Sequence, residues 1–146
     1  MIVNRQRNVS IARKEFNLFL ERIRQELRLE RAEISVALVS DAEMSRLNKA
    51  YRNKIGPTDV LSFPAQAGVH RSSNRRSLAG VRFLGDIAIA PATARRYARR
   101  NGRTLAHELR VLLLHGVLHL LGYDHETDQG QMNRVERKLQ RRLGLA

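Results

Sequence analysis

The segment 105–121 of this chain is apolar at nearly every turn, and this constrains the fold more than any other feature. Its apolar residues include Leu105, Leu109, Leu112, Leu113, Leu114, Val117, Leu118 and Leu121. They surround the whole circumference of a helix rather than one stripe, which is typical of a helix buried on all sides. Thr104, a good N-cap residue, precedes them. We therefore expect a central helix around which the other elements pack.

Three histidines follow one another at the end of this helix. His115 and His119 are four residues apart, so they stand on one helix face and can reach the same ion. Gly122 is expected to end the helix, because glycine enters the left-handed C′ conformation without steric cost. The chain can then turn back and present His125 to that ion. Three neutral imidazoles leave a fourth tetrahedral position open, which is the catalytic arrangement of zinc.

The spacing H-x-x-x-H-x-x-G-x-x-H is also the zinc-ligand frame of the metzincin peptidases, in which a Glu after the first His is the general base. Here that position is Gly116, which argues against peptide hydrolysis. Glycine inside a buried helix costs about 0.5–1 kcal/mol relative to alanine. Close packing of another backbone against the helix is the favoured reason for this glycine, and close approach of a ligand is the alternative.

The two other histidines are not expected to join this site. His107 precedes His115 by eight residues, or about 12 Å along a helix axis, which is too far for one coordination shell. His70 belongs to a basic loop and is expected to be solvated. The predicted metal ligands are His115, His119 and His125. Zinc is the predicted ion, and nickel, copper or iron would also suit nitrogen ligands.

Length and composition limit the class of protein. The chain has 146 residues and no cysteine, with 27 Lys and Arg against 14 Asp and Glu, a formal net charge of +13. This length fits one domain, and the lack of cysteine excludes disulfides and thiolate metal ligands. No apolar run has the length of a signal core or a membrane span. We therefore expect a soluble cytoplasmic protein without membrane contact.

Arginine supplies most of the positive charge, in clusters within residues 71–76, 95–103 and 134–142. The planar guanidinium group suits phosphate oxygens, so a basic chain of this size is most simply a binder of RNA or DNA. Solvated helix faces are the alternative interpretation of these clusters.

Patterns along the chain predict one α+β domain over residues 1–146. Strands are predicted at residues 2–3, at an edge, and at 33–39, 60–63 and 81–90. Helices are predicted to begin at Ser10, at the capping box formed by Ser40 and Glu43, at Pro91 and at Thr104, with a last one near the C-terminus. The helix after Ser40 is expected to turn Tyr51 inward. We expect a small sheet of about four strands, mostly antiparallel or mixed, packed on the buried metal-binding helix and further helices.

The run HGVLHLLGYDH at residues 115–125 resembles the signature of the YbeY family of bacterial metal-dependent endoribonucleases. NKAYRNK at 48–54, followed by PTDVLSFP at 57–64, resembles the family's second motif, and LGDI at 84–87 its third. The resemblance extends from about Glu33 to the C-terminus. It implies an endonuclease of single-stranded RNA that acts in maturation of the 3′ end of 16S ribosomal RNA and in ribosome quality control.

The same resemblance implies functional residues and partners. It implies one zinc ion on His115, His119 and His125, and a role for Arg52 in the Tyr-Arg motif. Arg52 and His115 are therefore the predicted catalytic residues. The implied partners are single-stranded RNA, ribosomal RNA in particular, and the small ribosomal subunit, while protein partners stay open.

These parts suggest a mechanism. The metal is expected to lower the pKa of its bound water towards 7, and Arg52 to clamp the scissile phosphate. The general base stays open among the metal-bound hydroxide and the carboxylates of Asp59, Asp86, Asp124 and Glu126. Asp86 and Asp124 are also candidates for orienting the histidines.

Three alternatives remain. Arg52 can instead be a helix-end cation that caps exposed carbonyls. The whole protein can be a zinc metallopeptidase, or a non-catalytic ribosome-binding protein with structural zinc.

Overall fold

The computed structural model describes residues 1–65, 81–124 and 126–145. Its strands are β1 (Ile2–Asn4), β2 (Ala32–Leu38), β3 (Val60–Pro64) and β4 (Arg82–Ile89). Its helices are α1 (Arg13–Glu26), α2 (Asp41–Arg52), α3 (Pro91–Arg100), α4 (Leu105–Leu120) and α5 (Gln131–Arg142). Three parts of the sequence-based predictions lie outside the described residues: His70, the arginine cluster at 71–76, and His125.

The four strands form one mixed sheet in the order β1-β2-β4-β3. β1 pairs with β2, and β2 with β4, in parallel, while β3 pairs with β4 in the antiparallel direction. Parallel neighbours need a crossover connection, and α1 supplies it between β1 and β2. The predicted α+β class with about four strands is confirmed. Of the two arrangements left open for the sheet, the mixed one is present, and β1 lies at an edge as predicted.

The sheet has two unlike faces, because successive side chains of a strand point to opposite sides. In β2, Ile34, Val36 and Leu38 are buried in the main core, together with residues of α1 and α4. Ser35 and Ala37 alternate with them and are only half-buried. Helices α1 and α4 therefore cover one face, and a smaller apolar cluster beneath α2 covers part of the other.

Helix α4 is the centre of the main core, as its sequence predicts. Leu113, Leu114, Val117 and Leu118 have no exposed surface. A Cβ atom at Gly116 would lie 3.0 Å from Ile87 Cγ2 on β4, which is closer than ordinary van der Waals contact. Close packing, rather than a ligand, is therefore the reason for this glycine. In the described part of the chain, no helix is long and apolar enough to cross a membrane.

Local capping signals set three helix ends where the sequence predicts them. The hydroxyl of Ser40 accepts a hydrogen bond from the Glu43 N–H, and the hydroxyl of Thr104 accepts one from the His107 N–H. At the end of α4, Gly122 has a φ of +99°. The left-handed conformation there lets the chain leave the helix directly after the histidine pair.

The first helix begins later than predicted. It starts at Arg13, with Ala12 as N-cap and no side-chain cap, so the prediction that Ser10 caps it is wrong. The amide of Gln6 donates to the Val9 carbonyl at 2.9 Å and accepts from the Val9 N–H at 3.0 Å. These two bonds hold residues 6–9 in a closed turn, and the chain enters the helix only after it.

Gly85 in β4 is the position where a side chain would be least tolerated. Its φ is +145°, and a Cβ would lie 2.4 Å from the Phe63 carbonyl oxygen. We expect Gly85→Ala to lower the free energy of unfolding by roughly 3 kcal/mol or more, from backbone strain and overpacking together. Urea denaturation followed by circular dichroism measures this change.

Gly102→Ala is the matched control. Gly102 also has a positive φ, +66°, but open space around its Cβ position, so its substitution should cost only about 1–2 kcal/mol. Equal losses in the two variants would contradict the steric contribution at Gly85.

Candidate metal centre and the groove on the opposite sheet face

The side chains of His115 and His119 converge in the second half of α4. Their Nε2 atoms are 3.0 Å apart, and their rings lie edge to face with centroids 4.6 Å apart. Both residues are half-buried, so the pair lies at the rim of the core rather than inside it. The structure thus brings together two of the three predicted metal ligands.

The spacing of these two nitrogens fits a shared zinc ion. Zinc–imidazole bonds are about 2.0–2.1 Å long, so two nitrogens on one tetrahedral ion lie roughly 3.3 Å apart. The observed separation differs from this by a few tenths of an ångström. Within residues 1–65, 81–124 and 126–145, no group of three His, Cys, Asp or Glu side chains could hold a metal ion. The third predicted ligand, His125, lies outside those ranges and stays a prediction.

A carboxylate that the sequence analysis missed contacts this pair. Both oxygens of Glu136, on α5, lie 3.2 Å from Nδ1 of His115. The sequence does contain a signal for it: Glu136 is four residues after Met132 and three before Leu139, both of which are buried. A Glu on the inward stripe of a helix is uncommon. Its position on the buried stripe of α5 would have identified Glu136, because in the sequence it lies far from His115.

The carboxylates considered as helpers lie elsewhere or have local roles. Oδ1 of Asp124 accepts a hydrogen bond from the Glu126 N–H at 3.0 Å. Asp59 accepts a long one, 3.4 Å, from the Thr58 hydroxyl. Asp86 alternates with β4 residues that face α4, so it points to the opposite side of the sheet. Catalytic roles for Asp59, Asp86, Asp124 and Glu126 stay predictions.

The sheet face opposite α4 forms a groove against α2 with a volume of about 860 Å³. Its floor consists largely of strand side chains that point away from α4. The charged and aromatic residues that line it include Arg5, Glu43, Tyr51, Arg52, Phe63 and Asp86. The groove therefore combines an apolar floor with charges of both signs.

Tyr51 lies at the open end of this groove, so the prediction that it turns inward is wrong. Its side chain is 68% exposed, and its ring packs edge-on against Phe63 with centroids 5.0 Å apart. The small core beneath α2 is already filled by Met44, Leu61 and Ala88. Tyr51 lies beyond this core and can only rest on its rim.

Arg52, the last residue of α2, is exposed and lines the groove. Within the described residues its guanidinium makes no hydrogen bond, so it does not cap the carbonyls at the end of its helix. The residues that line the groove do not include His115 or His119. Arg52 and His115, the two predicted catalytic residues, thus lie on helices α2 and α4, which pack on different faces of the sheet, and the role of Arg52 stays a prediction.

Comparison with known proteins gives matches along nearly the whole chain. The family model for endoribonuclease YbeY matches residues 1–144. A protein named endoribonuclease YbeY from Solibacter usitatus is 38% identical over 97% of this chain and 86% of its own length. Its namesake from Heliobacterium modesticaldum is 43% identical over 80% of this chain and 73% of its own length.

The similarity extends to a solved structure. The solution structure of TM1509 from Thermotoga maritima superimposes with a TM-score of 0.64 and 28% sequence identity, covering 98% of this chain and 89% of that one. A family match of this extent, with relatives well above 30% identity, shows what the three sequence motifs predicted: the chain belongs to the endoribonuclease YbeY family.

Proposed function

We propose that this protein is a zinc-dependent endoribonuclease that cleaves single-stranded RNA. We further propose that it acts in the cytoplasm on the small ribosomal subunit, in maturation of the 3′ end of 16S ribosomal RNA and in late ribosome quality control. The observation that carries the proposal is the convergence of the Nε2 atoms of His115 and His119 at 3.0 Å. It occurs in a chain whose relatives are named endoribonuclease YbeY.

His115, His119 and His125 would hold one zinc ion. When bound, such an ion supplies Lewis-acid chemistry, the polarisation of a phosphoryl oxygen and the activation of water near neutral pH. Two features of the pair support a reactive site. Both side chains are half-buried at the rim of the core, where a substrate has access, and nitrogen ligands alone leave room for a further ligand.

The chain's own charges support an RNA substrate. The net charge of +13 favours association with a polyanion, and α3 exposes Arg96, Arg99 and Arg100. Arg52 is exposed at the groove and makes no hydrogen bond through its guanidinium to the described residues, so it can bind a phosphate with two parallel hydrogen bonds. In the proposed reaction, Arg52 binds the RNA backbone and the histidines position the metal.

Nothing favours the peptidase alternative. The general base of a metzincin would stand at Gly116, where even a Cβ atom would lie only 3.0–3.3 Å from side-chain atoms of Ile87 and Ser62.

Replacing either histidine of the pair with alanine is expected to weaken zinc binding so that the purified protein carries little zinc, and to reduce cleavage of single-stranded RNA to near the level of the metal-free protein. Zinc content is measured by atomic emission and cleavage on labelled single-stranded and duplex RNA. His107→Ala is the control, since His107 lies in the first turn of the same helix, away from the pair. Full activity in His115→Ala would falsify the assignment of the site.

Arg52→Ala is expected to lower kcat for single-stranded RNA by on the order of 10²–10³-fold, the range for loss of one electrostatic group in an active site, with zinc content unchanged. Arg46→Ala removes the same charge from an exposed position of α2 that does not line the groove, and it should stay active. Equal losses in both variants would show that bulk charge, not Arg52, matters.

Removal of the metal with a chelator is expected to abolish cleavage while the protein stays folded, because the core around Leu113 and Leu118 is closed without the histidines. Far-UV circular dichroism follows the fold, and added zinc should restore the activity. Two results together would favour a structural zinc in a non-catalytic protein. The metal-free protein would unfold, and the zinc-loaded protein would leave RNA intact.

A further inference from the structure

The carboxylate of Glu136 contacts His115 on the side of the ring that faces away from His119. Its two oxygens each lie 3.2 Å from His115 Nδ1, while His115 Nε2 is 3.0 Å from His119 Nε2. Nδ1 and Nε2 are on different sides of an imidazole ring. Glu136 therefore does not face the space between the two Nε2 atoms. It contacts the other nitrogen of the His115 ring.

Glu136 is largely buried, which is unusual for a carboxylate. Its side chain is only 12% exposed, one helical turn after Met132, which is fully buried. A carboxylate withdrawn from water costs free energy unless a hydrogen bond replaces its hydration. Within residues 1–65, 81–124 and 126–145, the partner of Glu136 is His115. The contact is thus what compensates the burial of this carboxylate.

The contact also indicates which nitrogen of His115 carries the hydrogen and which carries the lone pair. An ionised carboxylate only accepts hydrogen bonds, so the hydrogen of a neutral His115 ring belongs on Nδ1. The lone pair is then on Nε2, the atom that faces His119. Metal-binding histidines commonly donate their other ring N–H to a carboxylate, which fixes the tautomer and the ring orientation.

We infer that Glu136 is a positioning residue of the metal centre, which orients His115 and fixes the tautomer that can bind zinc. This inference rests on the part of the proposed function that places a zinc ion on the histidine pair, and it is independent of the RNA substrate. It assigns to α5 a direct part in the metal centre on α4. It also predicts that Glu136 affects zinc affinity only through His115.

The test is a competition titration of zinc chloride between the purified protein and a chromophoric chelator. Glu136→Ala should weaken zinc binding by about 10- to 100-fold, the usual effect of losing such a partner. Glu136→Gln keeps an acceptor without the charge and should lose less. Glu26→Ala is the control, since Glu26 also contacts α5, through Arg142 at 2.7 Å, but not the histidines. Circular dichroism verifies that each variant is folded, and the Gln variant serves if the Ala variant is not.

A double-mutant cycle separates positioning from a general effect on the fold. His115→Ala already removes the group on which Glu136 acts, so adding Glu136→Ala should weaken zinc binding no further. Long-range ¹⁵N–¹H NMR correlations of the metal-free protein should show the Nδ1–H form of His115, and a loss of that preference in Glu136→Ala. Additive losses in the cycle, or an unchanged tautomer, would overturn the inference.

The failures of the two proposals can be told apart. If His115→Ala binds zinc as tightly as the unmodified protein, the metal centre itself is refuted. If His115→Ala loses zinc but Glu136→Ala binds it with unchanged affinity, only the positioning role is refuted.

Discussion

The close approach of α4 to strands β3 and β4 at Gly116 is the interaction on which the rest of the structure depends. A Cβ there would lie 3.0 Å from Ile87, and the Ser62 hydroxyl donates a hydrogen bond to the Gly116 carbonyl at 3.1 Å. These contacts offset the conformational cost of glycine in a helix. Because neighbouring residues on a helix are turned by about 100°, the packing of Gly116 onto the sheet leaves His115 beside the interface, at the rim.

The edge strand β3 separates the two candidate functional regions. Leu61, Ser62 and Phe63 of this strand all line the groove with Arg52, and the Ser62 hydroxyl also donates to the Gly116 carbonyl of α4. The helices that carry the histidine pair and Arg52 pack on different faces of the sheet, of which β3 is the edge strand next to β4. A substrate that contacts both would extend from α2 across the β3 edge to α4. A long flexible polymer such as single-stranded RNA meets that requirement better than a small substrate does.

Features set by a few neighbouring residues could be predicted from the sequence. Thr104 and Gly122 mark the ends of α4 because capping acts over one turn, and the pairing of His115 with a residue four positions later follows from helix geometry alone. The predicted cap at Ser10 was wrong because an upstream side chain closes a turn there. The parallel pairing of β1, β2 and β4 depends on the crossovers, and the contact of Glu136 depends on how α5 packs on α4. Neither is contained in a local pattern.

The choice of partner for Glu136 is informative in a chain with 27 basic residues. Other carboxylates of the described segments pair with arginine: Glu21 with Arg24, Glu26 with Arg142, Glu43 with Arg5, Asp41 with Arg96 and Glu108 with Arg103. An arginine would compensate a largely buried carboxylate more strongly than an imidazole does, because it is always charged and donates through a fork. Yet arginine cannot bind a metal ion, and histidine can. The pairing of Glu136 with His115 therefore fits the inferred role of His115 as a metal ligand through Nε2 better than it fits a contribution to the stability of the fold.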